Sequence, residues 1–384
     1  MQLALTINDL RATARRRIPR ALFDYIDRGS YDEVTLAANR SAFDRYALRQ
    51  RVLVDVSHRD LASQMLGESI SLPLAFGPTG LTGLIHADGE IYACRAAHKA
   101  GVPYCLSTAS ICSIEDVRAA VERPFWFQLY IMRDRGFVSS LVERAKLAGC
   151  PVLVVTVDLA AHGQRHHDLR NGLSVPPRLT VSNLFGMMAR PAWIAKIMFG
   201  KRKTFGNFAG HMNIGNDAGS ISHWINSQFD SSLSWKDLAW LRSIWPGKLV
   251  VKGILDAEDA CQAVALGADA VVVSNHGGRQ LDGAPASLDA LPAIAEKLQG
   301  RASVFLDGGV RSGQDLVKAL ALGADGCWLG RALLYGLAAD GENGVTRAIN
   351  ILRGELDTTL ALMGRTSVRE LDRSCVLKHH DFTK

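Results

Sequence analysis

The segment Ser274–Gly283, SNHGGRQLDG, places a histidine and an arginine three positions apart on a glycine-rich stretch. A histidine has a pKa near neutrality, so His276 can act as a general base. The planar guanidinium of Arg279 can hold a carboxylate through paired hydrogen bonds. A lone histidine is usually a core residue, but the adjacent glycines and a position beyond a strand favour a site here. The pair therefore predicts a substrate that carries a carboxylate beside its reacting carbon.

Eight short apolar runs supply the strands that must position such residues. Each run is bounded by glycine or polar residues and followed by a helix-like stretch, as expected for strands buried on both faces of a parallel sheet. Glycines before several runs, as in Ala265–Asp269, suit helix ends that lead into strands. Eight strand–helix units predict an α/β fold, a (β/α)8 TIM barrel, because an open doubly wound sheet would use about six strands. The runs are Leu72–Gly77, Pro103–Ser107, Phe125–Leu129, Val152–Val157, Lys248–Lys252, Ala270–Ser274, Ser303–Asp307 and Gly326–Leu329.

Residues 1–384 are predicted to form one domain, with a helical N-terminal cap at residues 1–65 and the barrel at residues 66–376. In the cap we expect helices at Ile7–Ala21 and Asp32–Phe43, packed against the barrel bottom or covering one end. The interval Asp158–Trp245, between the fourth and fifth strands, is a long insertion. Loops of that length are usually functional or disordered.

Within the insertion, residues 177–215 mix apolar side chains with basic ones. Met187, Trp193 and Phe199 alternate with Arg190, Lys196 and the triplet 201–203, KRK. Apolar and basic residues on a short helix are typical of a membrane interface. A helix packed on the barrel with a solvated basic end fits the pattern equally well.

The composition excludes several classes of protein. The chain has 384 residues, 48% of them hydrophobic, and a net charge of +6, which fits a globular protein with anionic partners. It contains no recognition motif for nucleic acid. We find no stretch near the ~20 apolar residues of a membrane span and no apolar core of a signal peptide. The seven cysteines form no CxxC pair and fit buried thiols in a reducing compartment, so we expect a cytoplasmic protein.

Other polar residues fall where the predicted strands end, which is the active-site face of such a barrel. Asp307–Arg311 and the pair Gly330-Arg331 combine glycines with arginines after the seventh and eighth strands, and this placement predicts a phosphate site. Lys252 could form a Schiff base, stabilise an anionic intermediate or lie on the surface. The run His162–Asp168 contains three histidines but no second ligand cluster, so we predict a solvated loop and no metal site.

Three motifs, Ser274–Gly283, Leu306–Arg311 and Leu329–Arg331, resemble those of the FMN-dependent (S)-2-hydroxy acid dehydrogenase and oxidase family. The resemblance runs from about Arg17 to Val376, and the first motif is highly specific. It implies FMN as the cofactor and oxidation of a 2-hydroxy acid to the 2-oxo acid. By analogy with the family it also implies a homo-oligomer, often a tetramer.

The resemblance gives each matching residue a role. His276 would be the base, and Asp158 would stabilise its protonated form. Lys252 would stabilise the reduced flavin, which disfavours the Schiff-base lyase. Tyr130 would meet the substrate hydroxyl, and the other substrate contacts would be Arg279, Arg165, Tyr25 and Gly80. FMN would be held by Pro78, Thr79, Gly80, Ser107, Gln128, Thr156, Lys252, Ser274, Asp307, Gly308, Gly309, Arg311, Gly330 and Arg331.

Two positions bear on the choice of substrate. Members that oxidise small acids often have alanine where this chain has Gly80, and a bulky aromatic where it has Ala109. The added room favours an aromatic acid such as mandelate. Bacterial L-lactate dehydrogenases can also carry glycine at the first position, so L-lactate remains the alternative.

The insertion bears on the electron acceptor. Membrane-bound bacterial members, the (S)-mandelate and L-lactate dehydrogenases, have an apolar, basic segment like residues 177–215. The resemblance therefore implies electron transfer to a quinone at the cytoplasmic face of the inner membrane, on an anionic lipid surface. The alternatives are a soluble oxidase that forms hydrogen peroxide, a lyase that uses Lys252, and a non-catalytic membrane-binding barrel.

Overall fold

A computed structural model describes residues 4–172, 181–209, 224 and 227–378, and the chain forms a (β/α)8 barrel. The strands are β1 (Leu74–Phe76), β2 (Cys105–Ser107), β3 (Trp126–Leu129), β4 (Val152–Thr156), β5 (Lys248–Ile254), β6 (Ala270–Val273), β7 (Ser303–Asp307) and β8 (Gly326–Leu329). They pair in parallel in the order β1-β8-β7-β6-β5-β4-β3-β2, and a parallel bridge between Phe76 and Tyr104 links β1 to β2. The predicted TIM barrel is confirmed, and β5 runs two residues beyond its predicted end.

Most helices alternate with these strands and pack around the barrel. Ser113 and Ser312 begin two of them with capping boxes, in which serine and aspartate side chains bond the free backbone N–H groups. The helices are α1 (Ile7–Arg17), α2 (Arg20–Asp27), α3 (Val34–Asp44), α4 (Thr82–Ile85), α5 (Gly89–Lys99), α6 (Ile114–Ala120), α7 (Arg135–Leu147), α8 (His166–Arg170), α9 (Val181–Met188), α10 (Pro191–Phe199), α11 (Trp235–Ile244), α12 (Ala257–Ala265), α13 (Ser287–Leu298), α14 (Gly313–Ala321) and α15 (Arg331–Leu362), which is kinked at Asp340-Gly341.

The barrel interior is filled by large side chains that the strands direct inward. The ring of Trp328 lies 5.6 Å from that of Trp126 and 5.9 Å from that of Phe305. An antiparallel hairpin, Ser63–Met65 with Glu68–Ile70, closes this end, and Glu68 accepts a hydrogen bond from the Trp126 indole at 3.0 Å. The lower barrel is therefore a solid core, and the open end is where the strands finish.

The N-terminal region differs from its predicted boundaries. The single helix expected at Ile7–Ala21 is two helices, because Pro19 restricts Ile18 to an extended conformation and α2 begins only at Arg20. Helix α1 packs along α15, whereas α2 and α3 lie over the C-terminal rim of the barrel. A second antiparallel pair, Tyr46–Leu48 with Val376–Lys378, follows α3 and joins the two ends of the chain.

Part of the insertion is anchored on the barrel and part is exposed. In α10 the Trp193 indole donates to the Leu84 carbonyl at 3.0 Å, and Arg202 contacts Asp88 at 2.6 Å and Asp116 at 2.9 Å. Residues 177–180 and 210–215 of the predicted membrane segment lie outside the described residues. No helix among the described residues is long and apolar enough to cross a bilayer. The exposed apolar side chains of α9 and α10 are Leu184, Phe185, Met188, Met198 and Phe199.

Candidate active site

A cavity of about 580 Å³ opens at the C-terminal ends of the strands. Its size lies within the roughly 300–1,000 Å³ range of small-molecule sites. Residues that line it come from the ends of the strands, from helix α2 and from the insertion between β4 and β5. From the predicted set these are Tyr25, Pro78, Thr79, Gly80, Ser107, Tyr130, Arg165, Lys252, His276, Arg279, Asp307, Gly308, Gly309, Arg311, Gly330 and Arg331.

His276 and Asp158 form a hydrogen-bonded pair at the rim. Nδ1 of His276 lies 3.0 Å from Oδ1 of Asp158. Burial lowers the pKa of His276, although Asp158 opposes this effect. Burial would raise the pKa of Asp158, but the charges of His276 and Lys252 lower it overall. His276 is therefore neutral at neutral pH and can accept a proton at Nε2, while the ionised Asp158 can stabilise the imidazolium that results.

The loop that carries His276 has an unusual backbone. His276, Gly277 and Gly278 have φ values of 59°, 66° and 72°, all in the left-handed region. That region is uncommon for a residue with a side chain and ordinary for glycine. The hydroxyl of Ser274 accepts the His276 N–H at 3.0 Å, and Oδ1 of Asn275 accepts the Gly278 N–H at 3.0 Å. These bonds hold the tight turn that directs the imidazole into the cavity.

Lys252 provides a fixed positive charge at the cavity floor. Its Nζ lies 3.1 Å from Oγ of Ser274 and 2.9 Å from Oδ2 of Asp307. Burial favours the neutral amine, but Asp307 and Asp158 together raise the pKa of Lys252. A protonated amine cannot attack a carbonyl group. The geometry therefore disfavours the Schiff-base hypothesis and favours stabilisation of a negative charge.

Arg165 and Arg279 share one wall of the cavity with Tyr25 and Tyr130. The guanidinium carbon of Arg279 lies 4.7 Å from the centre of the Tyr25 ring. Burial and the charge of Arg279 lower the pKa of Arg165. Burial raises the pKa of Tyr130, so its hydroxyl keeps its proton and can donate. Since the two cations repel each other, a bound carboxylate would stabilise this wall.

A second cationic region lies where β7 and β8 end. Burial, followed by the charge of Arg279, lowers the pKa of Arg331 to about 10. Arg311, which also lowers it, donates to the Val310 carbonyl and lies over the Tyr335 ring, and it retains guanidinium donors for a ligand. Two neighbouring cations in a buried cavity indicate a ligand with a second anionic group.

Arg331 and the glycine pair of β7 also have packing roles that sequence reasoning missed. The Arg331 guanidinium donates at 2.8–2.9 Å to the carbonyls of Ile26, Arg28 and Gly277, so it ties α2 to the His276 loop. Gly309 has a φ of 88°, and a Cβ there would overlap the Asn39 carbonyl oxygen. Helix α3 thus approaches the rim only because this residue has no side chain.

Three of the predicted residues, Ser107, Gln128 and Thr156, form a polar layer at the floor of the cavity. Ser107 donates to Oε1 of Gln128 at 3.1 Å. Gln128 Nε2 and Thr156 Oγ1 are buried and have no partner among the described residues. Thr156 is in register with Lys252 on the neighbouring strand. Unsatisfied buried polar atoms are rare in proteins, so this layer is suited to a ligand that offers both donors and acceptors.

The run His162–Asp168, predicted to be a solvated loop, is exposed at His162 and Gln164, but helix α8 begins at His166 and Asp168 is buried. His162, Arg165 and Asp168 line the cavity, and the His162 ring lies edge-on to Phe229 at 4.1 Å. Phe229 comes from the end of the insertion and is joined to Met132 by an antiparallel bridge. An apolar residue in a long insertion carries no signal of this position. The described residues include no group of three side chains that could hold a metal ion.

The rim therefore defines a barrel enzyme with a neutral base, a carboxylate-binding wall and a second anion-binding region. The family model for FMN-dependent dehydrogenases matches residues 14–378, and the chain belongs to that family. L-lactate dehydrogenase of Acinetobacter baylyi is 45% identical over 97% of both chains, and that of Vibrio parahaemolyticus is 44% identical over 96% of this chain and 98% of its own.

Solved structures give the same family. An (S)-mandelate dehydrogenase described as a monotopic membrane protein is 38% identical and superposes with a TM-score of 0.94, covering 98% of this chain and 100% of its own. A soluble mutant of the membrane-associated (S)-mandelate dehydrogenase from Pseudomonas putida is 39% identical with a TM-score of 0.85, at the same coverage. A mandelate oxidase mutant is 35% identical with a TM-score of 0.82, over 98% of each chain.

The residues present fit FMN, the cofactor of the family. Its ring system carries donors and acceptors that match the unpartnered atoms of Gln128 and Thr156. Its phosphate is an anion of the kind that Arg311 and Arg331 indicate. Lys252 supplies a buried positive charge, which suits a ring that becomes negative on reduction.

Proposed function

We propose that this protein oxidises an (S)-2-hydroxy acid of the mandelate or L-lactate type to the 2-oxo acid and passes the electrons to a membrane quinone. The observation that carries the proposal is the hydrogen bond between His276 and Asp158, with His276 in the same cavity as Arg279 and Arg165. A base beside a carboxylate-binding pair suits an acid whose hydroxyl is on the neighbouring carbon.

In this proposal the chain's own residues bind the acid and move one proton. Arg279 and Arg165 hold the carboxylate, and the Tyr130 hydroxyl contacts the substrate hydroxyl. His276 Nε2 removes a proton, and Asp158 stabilises the imidazolium. When bound, FMN would take up the two electrons and the second proton that leave the substrate, and the positive charge of Lys252 would stabilise its reduced form.

The exposed part of the insertion supports a position at the membrane. Phe185 and Phe199 are 67% and 89% exposed, and Lys196 and Lys201 lie close to them in the chain. Exposed aromatic side chains with basic residues beside them suit the interface of an anionic bilayer. We place the enzyme on the cytoplasmic face of the inner membrane, as a peripheral protein and a homo-oligomer, for which a tetramer is the expectation.

Anaerobic mixing tests the reaction, and reoxidation tests the acceptor. The yellow protein should bleach with (S)-mandelate or L-lactate, and a screen of glycolate and longer acids would give the preferred side chain. Reduced enzyme should then be reoxidised faster by a quinone in vesicles than by oxygen. No bleaching with any of these acids would overturn the reaction. Peroxide formed at the rate of turnover, with no gain from quinone, would instead identify a soluble oxidase.

A further inference from the structure

Helix α3 lies outside the barrel, yet one of its residues contacts the His276 loop directly. Asn39 and Asn275 form a reciprocal amide pair, in which each side-chain NH2 donates to the other's Oδ1 at 2.8 Å. The two residues are 2% and 5% exposed, so water does not compete for these bonds. Asn39 does not line the cavity. Any effect it has on catalysis must therefore act through the residues that it contacts.

Asn275 is the side chain that fixes the shape of the loop. Its Oδ1 also accepts the Gly278 N–H at 3.0 Å, and its Nδ2 donates to the Pro285 carbonyl at 2.9 Å. The Asn39 amide adds two bonds to Asn275 in the orientation that Gly278 and Pro285 also require, with Oδ1 towards the loop, and so stabilises that orientation. His276, between Asn275 and Gly278, has its left-handed backbone held from both sides.

Asn39 also reaches the turn after β7. Its Oδ1 accepts the Ser287 N–H at 3.1 Å, and its backbone carbonyl lies against Gly309. A Cβ on Gly308 would lie 3.5 Å from the Asn39 amide. Asn39 therefore lies against both parts of the rim: its side chain bonds the loop of the base, and its backbone carbonyl lies against the turn that carries the second anion-binding region.

We propose that Asn39 is a positioning residue that sets the His276 loop and couples it to the Gly308–Gly309 turn. The inference rests on the proposed role of His276 as the base. It predicts that loss of the Asn39 amide reduces the rate of proton removal more than it weakens substrate binding, because the arginines that hold the carboxylate keep their own contacts.

Asn39→Ala and Asn39→Asp in the FMN-bound enzyme test the proposal. The aspartate keeps the shape and the acceptor but replaces the amide donor that faces Asn275. Anaerobic flavin reduction at saturating acid should slow at least tenfold, with less than a threefold change in KM. Hydrogen exchange of the Gly278 amide should accelerate, since Asn275 is no longer oriented. Glu68→Gln, which weakens a part-buried hydrogen bond at the far end of the barrel, is the control and should change neither readout.

The outcomes separate this inference from the proposed function. Wild-type protein that no acid can reduce would overturn the function itself. If the wild-type protein is reduced, and the Asn39 variants match it in both the rate of flavin reduction and the rate of Gly278 amide exchange, the positioning role alone is overturned. If Asn39→Ala fails to fold, Asn39→Asp gives the same two readouts. A loss of thermal stability without a change in either readout would make Asn39 a structural residue only and would also contradict the proposal.

Discussion

Nδ1 of His276 lies 3.0 Å from Oδ1 of Asp158, although the two residues follow strands that are not neighbours. Strand β5 lies between β4 and β6, and it contributes Lys252, whose charge acts on both members of the pair. The pKa of the base therefore depends on residues that follow or end three successive strands, β4, β5 and β6. Burial pushes its pKa down, Asp158 pushes it up, and Lys252 pushes it down again.

The pH dependence of flavin reduction should report on this pair. Protonated His276 cannot accept a proton, so the rate should fall as pH falls through its pKa, with a midpoint below the ordinary value of 6.5. Asp158→Asn removes the charge that raises this pKa, so the midpoint should move lower still. The plateau rate should drop about 100-fold, at the lower end of the range for acid–base catalysis. Stopped-flow traces across acidic and neutral pH would measure both changes. A midpoint that moves upward in the variant would contradict the assignment.

Arg279 should contribute both to binding and to positioning. Arg279→Met removes the carboxylate contact and the bond to the Arg28 carbonyl, which is 3.1 Å long. We expect KM to rise at least tenfold, as for a lost charge-assisted contact, and kcat to fall with it. Arg279→Lys is the matched control, since it keeps the charge. Its KM should lie between those of the wild type and Arg279→Met, but its kcat should stay close to that of Arg279→Met. An unchanged KM in both variants, measured by steady-state kinetics, would show that Arg279 does not bind the substrate carboxylate.

Gly80 should limit the size of the substrate side chain. A Cβ at this position would lie 3.4 Å from Ala109 and from the Tyr25 hydroxyl, which is tight but not a clash. Gly80→Ala should therefore fold and lower kcat/KM for (S)-mandelate about tenfold relative to L-lactate, in line with one methyl group in a pocket. Gly354→Ala, on an open face of α15, should leave the ratio unchanged. Equal effects on the two acids would show that Gly80 does not face the side chain.

Two exposed aromatic residues should carry membrane binding. Phe185→Glu and Phe199→Glu place a charge on apolar side chains that contact solvent, so the barrel should stay folded. The binding constant for anionic vesicles, measured by sedimentation, should fall at least tenfold, because each buried aromatic contributes about 1.5–3 kcal/mol to transfer from water. Leu53→Glu, at a fully exposed apolar residue elsewhere, is the control. Unchanged sedimentation of the double variant would exclude these helices as the contact.

Much of the site could be predicted because TIM-barrel topology links position in the chain to position on the rim. Each short apolar run predicted a strand, and the end of every strand faces the same side. Lys252 and His276 could thus be assigned to one site from the runs that precede them. Their roles in the reaction came from the family resemblance and remain predictions.

The rest could not be predicted, because it depends on contacts between residues far apart in the chain. Phe229 lines the cavity through a bridge to Met132, and Asn39 reaches Asn275 across 236 positions. Neither residue stands in a pattern that signals such a contact.

The sequence by itself determined the barrel, the family and the residues of the rim. The short apolar runs specify the strands and their ends, and the local motifs specify the family. Only the tertiary structure decided that His276 is neutral, that Lys252 is charged, and that Arg331 holds backbone carbonyls as well as lining the cavity. Ionisation and orientation depend on burial and on neighbouring charges. Those are set by the packing of all the elements together.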